Sequence, residues 1–205
     1  MLCYISFQIL NGLKYLQNYK IVHYDIKPEN IIIDNMLNIK IIDFSVSFDY
    51  SKIQTDKIKL KFCGTGFFMP PEVIICKDIT LKNINKIDLY SLGIILYRFA
   101  FGYYPFCLNK EDTKDYDTIY SKIMNNNLEI NDENNNYSEY FYDFLKKLLE
   151  KDINKRISIN EALKHYWIKG ANIIMDEKEK LYNINSFLIN LITDNFFFFN
   201  NYLKN

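Results

Sequence analysis

The chain has 205 residues, 49% of them hydrophobic and 17% aromatic, enough to bury about 70% of its unfolded surface around one solid core, which excludes a disordered protein. Its 25 basic and 25 acidic residues cancel to zero net charge, so no global field favours nucleic acid or an anionic membrane, and any phosphate binding must be local. Cys3, Cys63, Cys76 and Cys107 are scattered without a C-x-x-C pair or a secretory leader, so reduced thiols and a cytoplasmic or nuclear location are expected.

In chain order, residues 1–17 carry Ile5, Ile9, Leu13 and Leu16 at helical spacing and predict an amphipathic or buried helix, not a signal peptide. The extended stretch His23-Tyr24-Asp25-Ile26-Lys27-Pro28-Glu29-Asn30 follows. Two β-branched runs, 31–33 and 39–42, flank the turn formers Asp34, Asn35 and Asn38, and predict a small hairpin that brings Asn30 and Asp43 to one end. Beyond Asp43-Phe44-Ser45 comes Gly64-Thr65-Gly66-Phe67-Phe68-Met69-Pro70-Pro71-Glu72. Residues 87–101 are almost continuously apolar and are closed by Gly102. Arg98 interrupts that run and it is short for a membrane span, so it reads as a central buried helix and no membrane span is expected. Further helices are predicted over 113–126 and 138–151, separated by an Asn-rich loop over 125–136. Ser158-Ile159-Asn160-Glu161 is a capping-box pattern that starts a helix running toward His165-Tyr166-Trp167-Ile168. In the tail, residues 177–192 set Leu181, Ile184, Leu188 and Ile192 on one helical face, and four phenylalanines, 196–199, follow. Such a surface, left exposed, aggregates, docks on a partner or folds back, and fold-back packing or simple disorder is expected ahead of a membrane anchor.

The stretch around Asp25 and Asp43 holds the groups that phosphoryl transfer needs. Moving a γ-phosphoryl group to a hydroxyl requires an acceptor in line, a base for its proton, and cations to offset phosphate charge. Asp25 is the candidate base, a role worth about 10²–10⁴ in rate. Lys27, two residues on in an extended loop, can aim its ammonium at the transferring phosphate. Asn30 offers a neutral amide oxygen and Asp43 an anionic one, both hard ligands suited to Mg²⁺. Any one of the three could equally be a turn cap beside a buried hairpin. The ordered set is what points to chemistry.

His23 to Asn30 differs from the protein-kinase catalytic loop H-R-D-x-K-P-x-N only at Tyr24, and Asp43-Phe44-Ser45 differs from D-F-G only at Ser45. The chain therefore resembles a eukaryotic-type Ser/Thr protein kinase. Gln8-Ile9-Leu10-Asn11-Gly12-Leu13-Lys14-Tyr15-Leu16 is similar to the helix before that loop. By this resemblance the fold class is α+β, mainly α: the family's large, C-terminal lobe with a small β-hairpin at the catalytic loop and the small β-rich lobe absent. No G-x-G-x-x-G occurs in the 205 residues, and the strand lysine that grips the phosphates and the helix glutamate that pairs with that lysine are not expected. Residues 1–169 would form this partial kinase domain and 170–205 a C-terminal tail.

The same resemblance assigns site roles. Asp43 would bridge the metal to the nucleotide phosphates and Asn30 would hold a second ion; the cofactors are ATP and Mg²⁺, with Mn²⁺ able to replace it. Ile32 would lie beneath the adenine as the floor of the pocket. Thr65 with Lys27 points to a protein substrate phosphorylated on Ser or Thr. His23 would be an internal packing residue bonded to backbone, Asp88 would accept hydrogen bonds from the catalytic-loop backbone, and Glu72 would pair with Arg156. Short matches at Asp43-Phe44-Ser45-Val46-Ser47 and at Phe101-Gly102 with Pro105-Phe106 resemble the calcium/calmodulin-dependent protein kinase kinases. A regulatory partner would then act at the tail.

Two departures matter. Tyr24 removes the cation that would receive an activation-segment phosphate, so phosphorylation of Ser51 or Thr55 is not expected to order that segment by Arg pairing. Ser45 restricts the backbone beside Asp43 but removes no ligand. The expected function is a protein Ser/Thr kinase core, truncated and weakly active or inactive alone; the alternative is a pseudokinase-like lone lobe acting as a binding or scaffold module.

Overall fold

The computed structural model describes residues 2–34, 37–106, 115–130 and 136–170. Helix α1, Leu2–Asn18, turns Ile5, Ile9, Leu10, Leu13 and Leu16 inward, the face its spacing requires. Later in the chain, α3, Lys86–Phe101, is buried on every side from Ile87 to Tyr97. That burial explains why its sequence is apolar all round instead of striped. Gly102 ends α3 in the left-handed region, at φ +78°, donating its N–H to the carbonyl of Arg98.

Helix α5, Glu139–Leu148, is N-capped by Ser138, whose hydroxyl accepts from the amide of Phe141. It lays Phe141, Phe144, Leu145 and Leu148 into the core beside α3. A Cβ at Gly93 of α3 would stand 2.9 Å from both Leu148 Cβ and Leu149 Cδ2, so the absence of a side chain sets how closely α3 approaches this layer. Helix α6, Ile159–Lys164, starts at the capping box of Ser158 and Glu161 and, with the short α7, Tyr166–Lys169, closes over α1. Helix α4, Tyr116–Asn125, is capped by Asp115, and the four-residue α2, Pro71–Ile74, lies beside it.

The strands are short and pair antiparallel. β1 (Ile21–Val22) pairs with β4 (Phe48–Asp49), β2 (Ile31–Ile33) with β3 (Ile39–Ile41), and β5 (Lys57–Lys59) with β6 (Asp78–Thr80). In the β2–β3 hairpin, Asp34 accepts from the backbone and side-chain nitrogens of Asn38, at 2.8 and 2.9 Å. This arrangement corrects the expected fold class. A single hairpin with the β-rich small lobe absent is the sequence expectation, whereas all six strands among the described residues fall between residues 21 and 80 in three two-stranded sheets. The N-terminal half thus contains a β-rich part. Outside the expected β2–β3 hairpin, the four further strands of two or three residues are too short to register as alternation, which is why the sequence does not reveal them.

Among the described residues two extended apolar clusters result, beside a minor one of Tyr4 and Leu37. The larger joins α1, α3, α5, α6 and α7; the smaller gathers Val22, Tyr24, Tyr50, Leu60, Met69, Val73, Ile79, Ile84, Ile87 and Ile153 around the β5–β6 sheet. Among the described residues no helix is long and apolar enough to cross a membrane. The expected tail helix over 177–192, the Phe run 196–199, Cys107 and the start of the 113–126 helix lie outside the described residues.

One ion pair ties these parts together. Arg156, 1% exposed, meets Glu72, 2% exposed, through two parallel bonds of 2.6 and 2.9 Å. The guanidinium also donates to the carbonyls of Glu150 and Lys86 at 2.8 and 3.0 Å and lies over the ring of Tyr90. With its remaining protons satisfied, the pair withstands burial, and removing one partner strands a charge. Arg156→Ala or Glu72→Ala is expected to lower unfolding free energy by about 3–5 kcal/mol. Replacing both with apolar residues of similar volume is expected to cost much less, as urea titration of the three variants would measure.

Candidate active site

The loop between β1 and β2, which carries Asp25, Lys27 and Asn30, is held from below. Asp88, in the first turn of α3, accepts the backbone N–H of His23 through Oδ2 at 2.8 Å and that of Tyr24 through Oδ1 at 2.9 Å. Tyr24 has φ +68°, a conformation that a bulky residue adopts only when its surroundings enforce it. The two bonds are that enforcement. Burial pushes the Asp88 carboxyl up to about 6, outweighing the two backbone donors and the neighbouring His23, which pull it down.

His23 is fully buried. The amide of Asp25 donates to its Nδ1 at 3.3 Å, which leaves Nε2 as the donor toward the Ile42 carbonyl at 3.0 Å. Its ring meets the exposed ring of Phe44 edge-on at 4.9 Å. The imidazole therefore links the catalytic loop to the end of the β2–β3 hairpin.

Above this base the polar groups converge on one carboxylate. Asp25, 9% exposed, pairs with Lys27 Nζ at 2.6 Å, and its Oδ1 accepts from the Thr65 hydroxyl at 2.7 Å. Lys27 also donates to Thr65 Oγ1 at 2.8 Å, closing a triangle. Asn30, at the end of a 3₁₀ turn that begins at Pro28, donates its amide nitrogen to the Asp25 carbonyl at 2.8 Å and to Oδ2 at 3.2 Å. With Nδ2 so engaged, the amide oxygen is the end of that side chain open to act as a ligand.

Asp43 follows directly on the hairpin, and the amide of Ile42 donates to the Asn30 carbonyl at 2.9 Å, so Asn30 and Asp43 share one end. Asp43 is exposed, with φ +61°. Hydrogen bonds from the Ser45 side chain and backbone hold its carboxyl below the usual carboxylate range, with smaller help from the charge of Lys27. Ile32, 49% exposed, lies on the same hairpin, and Ile42, Phe44 and Val46 are exposed beside it.

The structure thus brings Lys27, Asn30 and Thr65 onto Asp25, places Asp43 at the adjoining hairpin end, sets Asp88 and His23 underneath, and keeps Glu72 and Arg156 apart as a structural pair. The roles of two polar residues are not evident from sequence. Asn85, just ahead of α3, accepts from the Tyr50 hydroxyl at 2.6 Å and donates to the Ile21 carbonyl at 3.1 Å. Ser91 donates to the Phe68 carbonyl at 2.8 Å. An Asn and a Ser beside an apolar run are the only signal, and many turn and helix residues share it.

Residues 3–168 match the family model described as protein kinase domain. All six strands fall within the match, so the β-rich part belongs to the family's domain and the expectation that the small lobe is absent does not stand. The chain is 36% identical over 164 residues to "Probable serine/threonine-protein kinase fhkB" of Dictyostelium discoideum, covering 78% of this chain and 14% of that protein. It is 34% identical over 188 residues to "Death-associated protein kinase 2" of Mus musculus, covering 88% and 47%. It is 31% identical over 173 residues to "Calcium/calmodulin-dependent protein kinase kinase cmkC" of Emericella nidulans, covering 83% and 32%. The chain spans less than half the length of each of these relatives.

Asp88→Ala would leave two buried N–H groups unpaired and is expected to cost about 1–3 kcal/mol for each. The pH dependence has a definite sign. A carboxyl raised to about 6 in the folded state holds its proton where the unfolded chain has lost it. The stability of the native protein relative to Asp88→Asn is therefore expected to be greatest below about pH 4 and to fall as pH rises through about 6, as urea unfolding across that range would read.

Proposed function

The chain belongs to the protein kinase family, and we propose that it carries the core of a protein Ser/Thr kinase, which moves the γ-phosphoryl group of ATP to a protein hydroxyl. The observation that carries this reading is the triangle of Asp25, Lys27 and Thr65, with contacts of 2.6 to 2.8 Å, beside the oxygen ligands Asn30 and Asp43.

In this reading, Asp25 takes the proton of the acceptor hydroxyl as its oxygen bonds to phosphorus and the bond to the bridging oxygen of ADP breaks. Lys27 offsets charge on the moving phosphoryl oxygens, and Thr65 holds Asp25 and Lys27 in register. Asn30 and Asp43 would hold Mg²⁺, or Mn²⁺ in its place, and the donor set fits: one amide oxygen and one carboxylate, whose charged form the Ser45 hydrogen bonds favour further. Among the described residues there is no cluster of three His, Cys, Asp or Glu that could hold a metal by itself. Reliance on two side chains plus phosphates and water is usual for Mg²⁺. The bound ion would neutralise phosphate charge. Ile32 is assigned to the adenine face.

The finer parts of the reading rest on sequence. The 205 residues hold no G-x-G-x-x-G, so the chain alone is proposed to turn over below the roughly 1–100 s⁻¹ common for kinases. The short motifs around Asp43 and Phe101 support a place near the calcium/calmodulin-dependent protein kinase kinases. A regulatory partner is assigned to residues 170–205, and the cytoplasm or nucleus to the protein as a whole.

Transfer from radiolabelled ATP by the purified chain to a general protein substrate tests the proposal. Asp25→Asn and Asp43→Asn are each expected to lower the rate by about 10²–10⁴, with circular dichroism unchanged. Equal transfer by the native chain and both variants would overturn it.

A further inference from the structure

Tyr24 stands where the catalytic loop departs from its family pattern, and the structure gives the ring a place. It is 7% exposed and lies in the smaller apolar cluster with Tyr50, Leu60, Met69, Val73 and Ile79. Tyr50, Leu60 and Met69 all come from the stretch between Asp43 and Glu72. Burial, with the nearby Cys63, Asp88 and Glu72, raises the phenol well above its ordinary range, so the ring is neutral. It therefore contributes packing without charge.

The backbone of Tyr24 is fixed on both sides. Its N–H is held by Asp88 at 2.9 Å. Its carbonyl oxygen lies so close to Gly64, itself at φ +101°, that a Cβ there would be 2.6 Å away. Gly64 immediately precedes Thr65, whose hydroxyl holds Asp25. The position of Tyr24 thus bears directly on the Asp25, Lys27 and Thr65 triangle.

The rest of the segment is tied down without a charged partner at position 24. β5 pairs with β6, and bonds from Leu60 N to the Lys77 carbonyl at 3.1 Å and from Leu81 N to the Asp56 carbonyl at 2.8 Å extend the ladder at its two ends. Tyr50 is held by its N–H on the Lys20 carbonyl at 2.9 Å and by its hydroxyl on Asn85 at 2.6 Å. Ser51 and Thr55 are exposed between these anchors.

We infer that Tyr24 is a positioning residue: its buried ring, with the β5–β6 ladder, holds residues 50–65 in place by apolar packing, so that Thr65 is seated on Asp25 without phosphorylation of the segment. The inference rests on the kinase reading for its kinetic consequence only, because the ordering of the segment can be measured without turnover.

Hydrogen exchange read by mass spectrometry, on the full chain after phosphatase treatment, tests it. Slow exchange at Tyr50, Ile58 and Leu60 is expected in the unphosphorylated native chain and in Tyr24→Phe. In Tyr24→Ala these amides are expected to exchange at least about tenfold faster while α1 and α3 stay protected. Tyr24→Leu, which keeps an apolar side chain but lacks the ring, takes its place if the alanine variant does not fold. Kinetically, Tyr24→Ala is expected to lower kcat with the KM for ATP unchanged, and Tyr24→Phe to retain kcat. Native-like protection in Tyr24→Ala, or protection of the native segment only when Ser51 or Thr55 is phosphorylated, would overturn the inference. If transfer fails but the exchange pattern holds, the kinase reading falls and the positioning role stands.

Discussion

A single buried carboxylate, Asp88, organises the candidate site. Set in the first turn of the fully enclosed α3, it accepts the backbone N–H groups of two successive residues, His23 and Tyr24. Two donors on one carboxylate fix the direction of the chain as well as its position, and they sustain the left-handed turn at Tyr24. From that turn Asp25, Lys27 and Asn30 project toward one another, and His23 reaches across to the end of the hairpin that carries Asp43. α3 can serve as a platform because its other surfaces are apolar and packed against α5 and α1.

The polar loop depends on the apolar core in a second way. A buried charge is tolerated only where its partners are fully supplied. Arg156 has Glu72 and backbone carbonyls, and Asp88 has its two amides. Each of these residues joins segments more than sixty positions apart, so they fix tertiary relations that apolar packing, which is not directional, leaves loose. Tyr24 is the contrasting case, a place where a side chain without charge fills the space beneath the segment that carries Thr65.

Much of this could be read from the residues in order. The helical spacing in α1, the apolar length and Gly102 stop of α3, and the Ser158 capping box each rest on local physics, and the elements appear where that physics puts them. The polar set at Asp25, Lys27, Asn30 and Asp43 was legible because its spacing matches a known chemistry. The β-rich character of residues 21–80 was not. Strands of two or three residues are selected by partners far along the chain, as β5 is by β6 across some twenty residues, and Lys57-Ile58-Lys59 alone does not reveal its partner. For the same reason Tyr24 reads in sequence as the loss of a cation, while only the fold discloses the cluster that receives its ring.

We propose that the Asp88-anchored loop and the β2–β3 hairpin together present the side-chain oxygens of Asn30 and Asp43 to the cations that accompany a bound nucleotide. The most direct test is to add Mn²⁺ with a non-hydrolysable ATP analogue to the isotopically labelled chain and follow paramagnetic broadening by NMR. The side-chain amide of Asn30 and the backbone amides of Phe44 and Ser45 are expected to broaden first, and that broadening to vanish in Asp43→Asn. Broadening elsewhere with these signals sharp, or a pattern unchanged in Asp43→Asn, would contradict it.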